Sequence, residues 1–557
     1  ITLGGLKTTS SSATAVTIDS ATGAVKDGGN AHVDIVANSG TVVINAVTGV
    51  GSGNALETTV GTLDVDNSTS GNIEIAETDG LTVNKLAEAA AGNISLVSTT
   101  GTVTVASGQG GVVTAGTGTI TLHADGGDAG NLVVNAAVTG TTGAVALRAD
   151  NDASFGASGD VTTTTGNVSV TADYDNGGTA SGKLTMADGT LINAGSGTVS
   201  LAADGDITLG GVQTTSSSST AVTIHTYEGG VKDGGDAHVD IVADSGTVVI
   251  DAVTGVGSGN ALETTVGTLD VDNSTSGDIT IVESNGVTVN KLAEAAAGDI
   301  SLVSTTGTVT VASGQGGVVT AGTGTITLHA DGGDAGNLVV NAAVTGTTGA
   351  VALRADNDAS FGASGDVTTT TGNVSVTADY DNGGTASGKL TMADGTLINA
   401  GSGTVSLAAD GDITLGGVQT TSSSSTAVTI HTYEGGVKDG GDAHVDIVAD
   451  SGTVVIDAVT GVGSGNALET TVGTLDVDNS TSGDITIVES NGVTVNKLAE
   501  AAAGDISLVS TTGTVTVASG QGGVTTAGTG TITLFADGET AGNLTVNAVV
   551  TGTTGAV

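Results

Sequence analysis

The segment Ile-Thr-Leu-Gly-Gly begins at Ile1, returns at Ile207 and returns again at Ile413, so the chain runs on a period of 206 residues. Residues 1–206 and 207–412 are full copies and 413–557 is part of a third. Copies two and three are identical from Ile207 and Ile413 through Val318 and Val524. They then differ at positions such as Val319/Thr525, His329/Phe535 and Gly333/Glu539, the mark of tandem duplication. Tandem identity of this kind restricts the fold to a string of domains or to an array in which each copy continues the last. Because Ile1 lies in a strand-like segment and Val557 falls partway through a copy, the expectation is a window on a longer chain, folded as one continuous rod.

A finer period favours the array. Gly-x-apolar-x-apolar recurs at Gly71, Gly92, Gly118, Gly143, Gly166 and Gly197, at spacings of 21, 26, 25, 23 and 31 residues. Related triplets start at Val16 and Val33, and one more start near Leu56 gives nine coils of about 23 residues per copy, the size of a solenoid coil. Alternation of period two turns Ile94 and Leu96 inward and Ser95 outward. Each coil carries two or three short strands, as in Ile94-Ser95-Leu96, Val103-Thr104-Val105 and Val112-Val113. Hairpins compete with this reading, but triplets recurring once per coil favour an all-β parallel β-solenoid, and the chirality of parallel crossovers favours a right-handed one. At about 4.8 Å per strand, nine coils rise about 43 Å and the whole chain about 115 Å. The single helix-like stretch, Asn84 to Gly92, is under two turns and is read as a wide corner or one turn.

Composition decides which functions such a coil can carry. Glycine numbers 93, Pro, Cys and Trp are absent, and aromatic residues make up 1%. No disulfide, thiolate metal site or Cys nucleophile is available, and there is little material for a cofactor pocket. Acidic residues number 58 against 11 basic ones, a net charge of -47, which argues against nucleic acid and against a polybasic membrane anchor. Spread along a rod, that charge predicts a response to salt or divalent cations.

Calcium is the cofactor to weigh, because hard cations take carboxylate and carbonyl oxygens. The runs Asp64-Val65-Asp66-Asn67 and Asp173-Tyr174-Asp175-Asn176-Gly177 begin like oxygen-rich loops without completing a calcium loop. Asn30, Asn38, Asn45, Asn72 and Asn93 become Asp in copy two, whereas these runs keep their Asp. The metal candidates are therefore Asp64, Asp66, Asp173 and Asp175, with their copies Asp270, Asp272, Asp379 and Asp381. Seven His show no close metal spacing and read as solvated or packed. No Gly-x-Ser-x-Gly elbow occurs and repeated copies offer no singular site, so catalytic residues are not expected and the chain reads as no enzyme. The outward stripe of Thr17, Ser95, Thr121, Ala146, Ser169 and Ser200 is small and uncharged, suited to solvent or to packing between fibres.

The run Gly197-Thr198-Val199-Ser200-Leu201-Ala202-Ala203-Asp204-Gly205-Asp206-Ile207-Thr208-Leu209 and its copies resemble the coil repeats of large bacterial surface proteins, the filamentous-haemagglutinin-type adhesins and other β-strand-repeat exoproteins. That resemblance covers essentially the whole chain. It implies a secreted, cell-surface or extracellular acidic filament or matrix protein that associates with itself, or alternatively the stalk of a giant adhesin whose binding tip lies elsewhere.

Overall fold

A computed structural model describes residues 1–175, 181–381, 387–538 and 542–557. Glu539, Asn176 and Gly177 lie outside the described residues. Two compact units divide the chain at Ile281/Val282, and each is a parallel β-solenoid, as the triplets predict.

In the first unit the stretch from Ile94 to Gln213 shows the basic coil. Val145–Ala149, Ala153–Phe155 and Val161–Thr162 make one turn, and each pairs in parallel with its counterpart in the next: Val145 with Val168, Ala153 with Leu184, Val161 with Ile192. Like side chains therefore stack on like. Ile94, Ile120, Val145, Val168, Val199 and Val222 form one inward column, each 1% exposed or less. Burying whole Val, Leu and Ile side chains stabilises by about 1.5–3 kcal/mol apiece, and the thin core gains it only because the adjacent coils cover both of its open ends.

The glycines that open each triplet also form a column. A Cβ on Gly143 would sit 1.9 Å from the carbonyl oxygen of Gly118, and one on Gly166 would sit 2.0 Å from that of Gly143. The glycine is thus required by the close approach of successive backbones at this corner.

A second kind of coil occupies residues 35–88. Ile35–Ala46 and Leu56–Asn67 are strands of 12 residues that run straight through a place where other coils turn. The strand begins at Ile35, not at Val33, and its pairing slips between Ala37 and Thr41. Leu81–Glu88 is also a strand, which corrects the expected turn from Asn84: only Ala89 to Gly92 form the corner. One edge of Leu81–Glu88 pairs with two strands of the next coil, Val103–Val105 and Gly111–Thr114. Pairing on both edges overrides the helical preference of Lys-Leu-Ala-Glu.

These long strands shift the columns by half a turn. Followed downward from Val16, the pairing passes through Val42, Leu63, Val83, Val105, Val134 and Phe155 to Met186, and the eighth step takes the strand Leu184–Met186 to Ile207–Leu209. Val222, the copy of Val16, lies on the other ladder, reached from Ile73 through Ile94 and Val199. The second unit repeats the shift: eight steps from Ile300 lead to Val495, while its copy Ile506 pairs with Ile485. A copy therefore spans between eight and nine turns, close to the nine coils of about 23 residues expected, and Thr17 pairs with Val43 outside the stripe of Ser95, Thr121, Ala146, Ser169 and Ser200.

Gly127–Ala129 and Gly333–Ala335 form single 3-10 turns. Among the described residues, no helix is long and apolar enough to cross a membrane.

Candidate functional site

Asp64 and Asp66 lie within the strand Leu56–Asn67 rather than in a loop, both turned outward beside the buried Val65. Asp66 accepts a hydrogen bond from Lys85 Nζ at 2.6 Å, and burial outweighs the Lys85 charge to raise the Asp64 carboxyl above its ordinary value. Asp270 and Asp272 hold the same outward positions in Leu262–Asn273. Asp173 and Asp379 are corner residues with φ of 56° and 58°, a conformation Asp tolerates better than most residues. One oxygen of each accepts from the backbone N–H of Gly182 or Gly388 at 3.3 Å, and the other is buried without a partner. Asp175 and Asp381 follow two residues later at the edge of the described segments.

Chelating side chains converge elsewhere. His123, Asp125 and Asp150 bring potential ligand atoms within 4.8 Å of one another, as do His329, Asp331 and Asp356. His123 Nε2 lies 3.0 Å from Asp150 Oδ1, and Asp150 Oδ2 accepts from the N–H groups of Gly126 and Gly127. Arg148 stacks 4.6 Å from the Tyr174 ring, whose edge meets His123. Both oxygens of Asp150 are thus engaged, and the cluster works as a corner clamp. In the third copy Phe535 stands where His329 does.

The second cluster sits where the short-strand coil gives way to the long strands. Asp27 ends a two-residue strand, Asp34 precedes Ile35, and Glu57 is the second residue of Leu56–Asn67. Their carboxyl groups lie within 4.8 Å of one another, as do those of Asp233, Asp240 and Glu263. In the third copy Asp439, Asp442 and Glu469 make the group, and Asp446 beside them accepts from the Glu469 N–H at 2.9 Å.

Asp34, Asp240 and Asp446 are wholly buried. In each, Oδ2 accepts one backbone N–H, from Glu57, Glu263 or Glu469, and Oδ1 has no partner. Glu57, Glu263 and Glu469 each bury an unpartnered Oε2 as well. Burial, with the neighbouring charges of Asp233 and Glu263 added, pushes Asp240 up to about 8, and burial with Asp439 and Glu469 pushes Asp446 up to about 8. Asp34 rises to about 7 through burial and Asp27. Each position recurs at the 206-residue period, yet sequence spacing alone concealed the group, because Asp34 and Glu57 belong to successive coils. The usable signal was a lone Asp retained beside a strand start through all copies. Compared with known proteins, the chain matches no family model, no curated protein and no solved structure.

Proposed function

We propose that this chain is a structural segment of an extracellular fibre or matrix on a bacterial surface, non-catalytic, with its solenoid as the material of the fibre. The observation that carries the reading is the repetition of parallel pairing from coil to coil within each unit, carried on past the slips in register, with side chains stacked like on like. Such a ladder resists unfolding through many equivalent neighbour contacts and suits a spacer better than a reaction centre. The high negative charge keeps the secreted chain soluble and makes side-by-side association depend on screening.

Electron microscopy and sedimentation of the purified chain, at low and physiological salt, test this. The expected result is elongated particles that lengthen by about 40 Å per added repeat and associate into fibres as salt rises. Particles that stay single at every salt concentration favour the stalk of a larger adhesin, and compact particles of constant length overturn both.

A further inference from the structure

We propose that the Asp27–Asp34–Glu57 cluster, its copy at Asp233–Asp240–Glu263, and Asp439–Asp442–Glu469 with Asp446 beside it are calcium sites that pin the loop before each long strand to the next coil. The case starts from the orphaned oxygens. A wholly buried carboxylate with a donor on one oxygen alone is costly, since the bare oxygen has lost its water. Asp34, Asp240 and Asp446 repeat that condition three times, and a glutamate with its own orphaned oxygen stands beside each.

Neutralisation by a neighbouring cation is not what the surroundings provide. Lys232, next in sequence to Asp233, donates to Asp206 at 2.8 Å instead. The remaining influences on Asp240 are acidic or backbone groups: Asp233, Glu263 and the Glu263 N–H. Copies two and three add a fourth carboxylate, Asp236 or Asp442, where copy one carries Asn30, so drift between copies has increased the negative charge at the cluster. Asp27, Asp233 and Asp439 already accept from the N–H of Gly29, Gly235 or Gly441 and from the amide of Asn54, Asn260 or Asn466, so a divalent cation at the cluster is held first by the orphaned oxygens of the buried Asp and its Glu.

The donor set selects the ion. All ligands are oxygen, they come from two coils and a glycine-containing loop, and their arrangement is irregular, which suits the adaptable coordination of calcium better than the compact octahedron of magnesium. In the third copy Asp442 and Glu469, with His444 beside them directed at the Gly395 carbonyl, line an open cavity of about 410 Å³, with room for the waters that complete a shell.

The test uses the full chain, with calcium as the probe, in isothermal titration and in thermal melting with and without a chelator. The expected result is saturable uptake of three calcium ions at fixed ionic strength, with a rise in melting temperature. Replacing Asp34→Asn, Asp240→Asn and Asp446→Asn together is expected to abolish that uptake while the far-UV spectrum stays that of a β-protein. Should the triple variant fold poorly, Asp236→Asn with Asp442→Asn is the second probe, expected to weaken two of the three sites at least threefold and to leave the first unchanged. Uptake that survives the triple substitution, or that sodium at equal ionic strength suppresses as for condensed counterions, overturns the proposal. So does a chain that takes up no calcium at pH 7.5, which would mean that each Asp–Glu pair shares a proton instead. Failure of these sites leaves the fibre reading intact, because that reading is judged by assembly alone.

Discussion

Residues 94–213 and 31–88 are built from the same parallel pairing and the same Val, Leu and Ile columns, yet they close their corners by opposite means. In the short-strand coils the buried corner groups are mostly hydroxyls, with the carboxylate Asp150 among them. Thr114 donates to the Gly92 carbonyl at 2.9 Å and Thr214 donates to that of Gly197 at 2.5 Å. In the long-strand coils the buried corner groups are Asp34, Glu77 and Glu88, with Asn67 beside them. Glu77 accepts from the Thr58 hydroxyl at 2.6 Å and the Val60 N–H at 3.1 Å, and Glu88 accepts from the Asn67 amide and the Ala90 N–H. A hydroxyl satisfies one carbonyl and never titrates. A carboxylate gathers several N–H groups where pairing slips, but it makes the fold answerable to protons and cations. Charge therefore weighs more heavily on the corners of the long-strand stretch than on those of the short-strand one.

The comparison breaks most easily at the glycine column. Gly143→Val forces a side chain into the carbonyl of Gly118 and is expected to cost upward of about 3 kcal/mol, read as lost hydrogen-exchange protection across the coils at 118–172. Gly4→Ala, with open space around its Cβ, is the control and is expected to leave protection unchanged. Wild-type protection in Gly143→Val would mean the coils are not stacked this closely.

Next in size is the core that both stretches share. Leu147→Ala and Leu63→Ala remove equally buried side chains, and each is expected to cost about 2–4 kcal/mol in urea unfolding. A much smaller loss at Leu63 would show that the long-strand coils rely on their polar corners more than on packing.

Smaller again is the response to pH. Burial raises Glu77 to about 7, opposed by its donors Thr58 and Val60 and helped by the Asp79 side chain, and Glu489 rises likewise to about 7 with Asp450 facing it. A raised carboxyl pKa means that the folded state holds the proton more tightly. Stability is therefore fullest below about 4.5 and falls as pH climbs through about 7, by on the order of 1 kcal/mol per group after screening. Protection of amides in 56–79 is expected to drop between pH 5 and pH 8 while that of 132–147, which hold no titratable side chain, stays steady, and Glu77→Gln should flatten the drop. Equal pH sensitivity in both stretches would mean that their corners do not differ in charge.

The smallest effect is expected from Asn30→Asp, which installs the residue copy two carries at Asp236. At this exposed position the melting temperature in chelator should move by an amount equivalent to less than about 0.5 kcal/mol.

Much of this was legible in the chain. The Gly-led triplets located the columns of Ile94 and Gly143 because a period of two fixes which side chains face inward, whatever lies around them. Asp64 and Asp66 flank Val65, so the same alternation placed them on the outer face, away from the buried carboxylates. The half-turn shift was not legible, since whether Ile35–Ala46 bends or runs straight depends on what pairs along both of its edges. Nor was the Asp34–Glu57 pairing, because residues 23 apart meet when the coil between them has that length and no other.

The parallel solenoid, the glycine corners and the 206-residue repetition are set by the order of the residues, because they follow from local alternation and from near-exact copying. The tertiary structure alone decided that a copy ends half a turn out of phase, and that a few carboxylates are buried together at the slip. Both depend on the summed path length around each coil, a quantity no single segment contains.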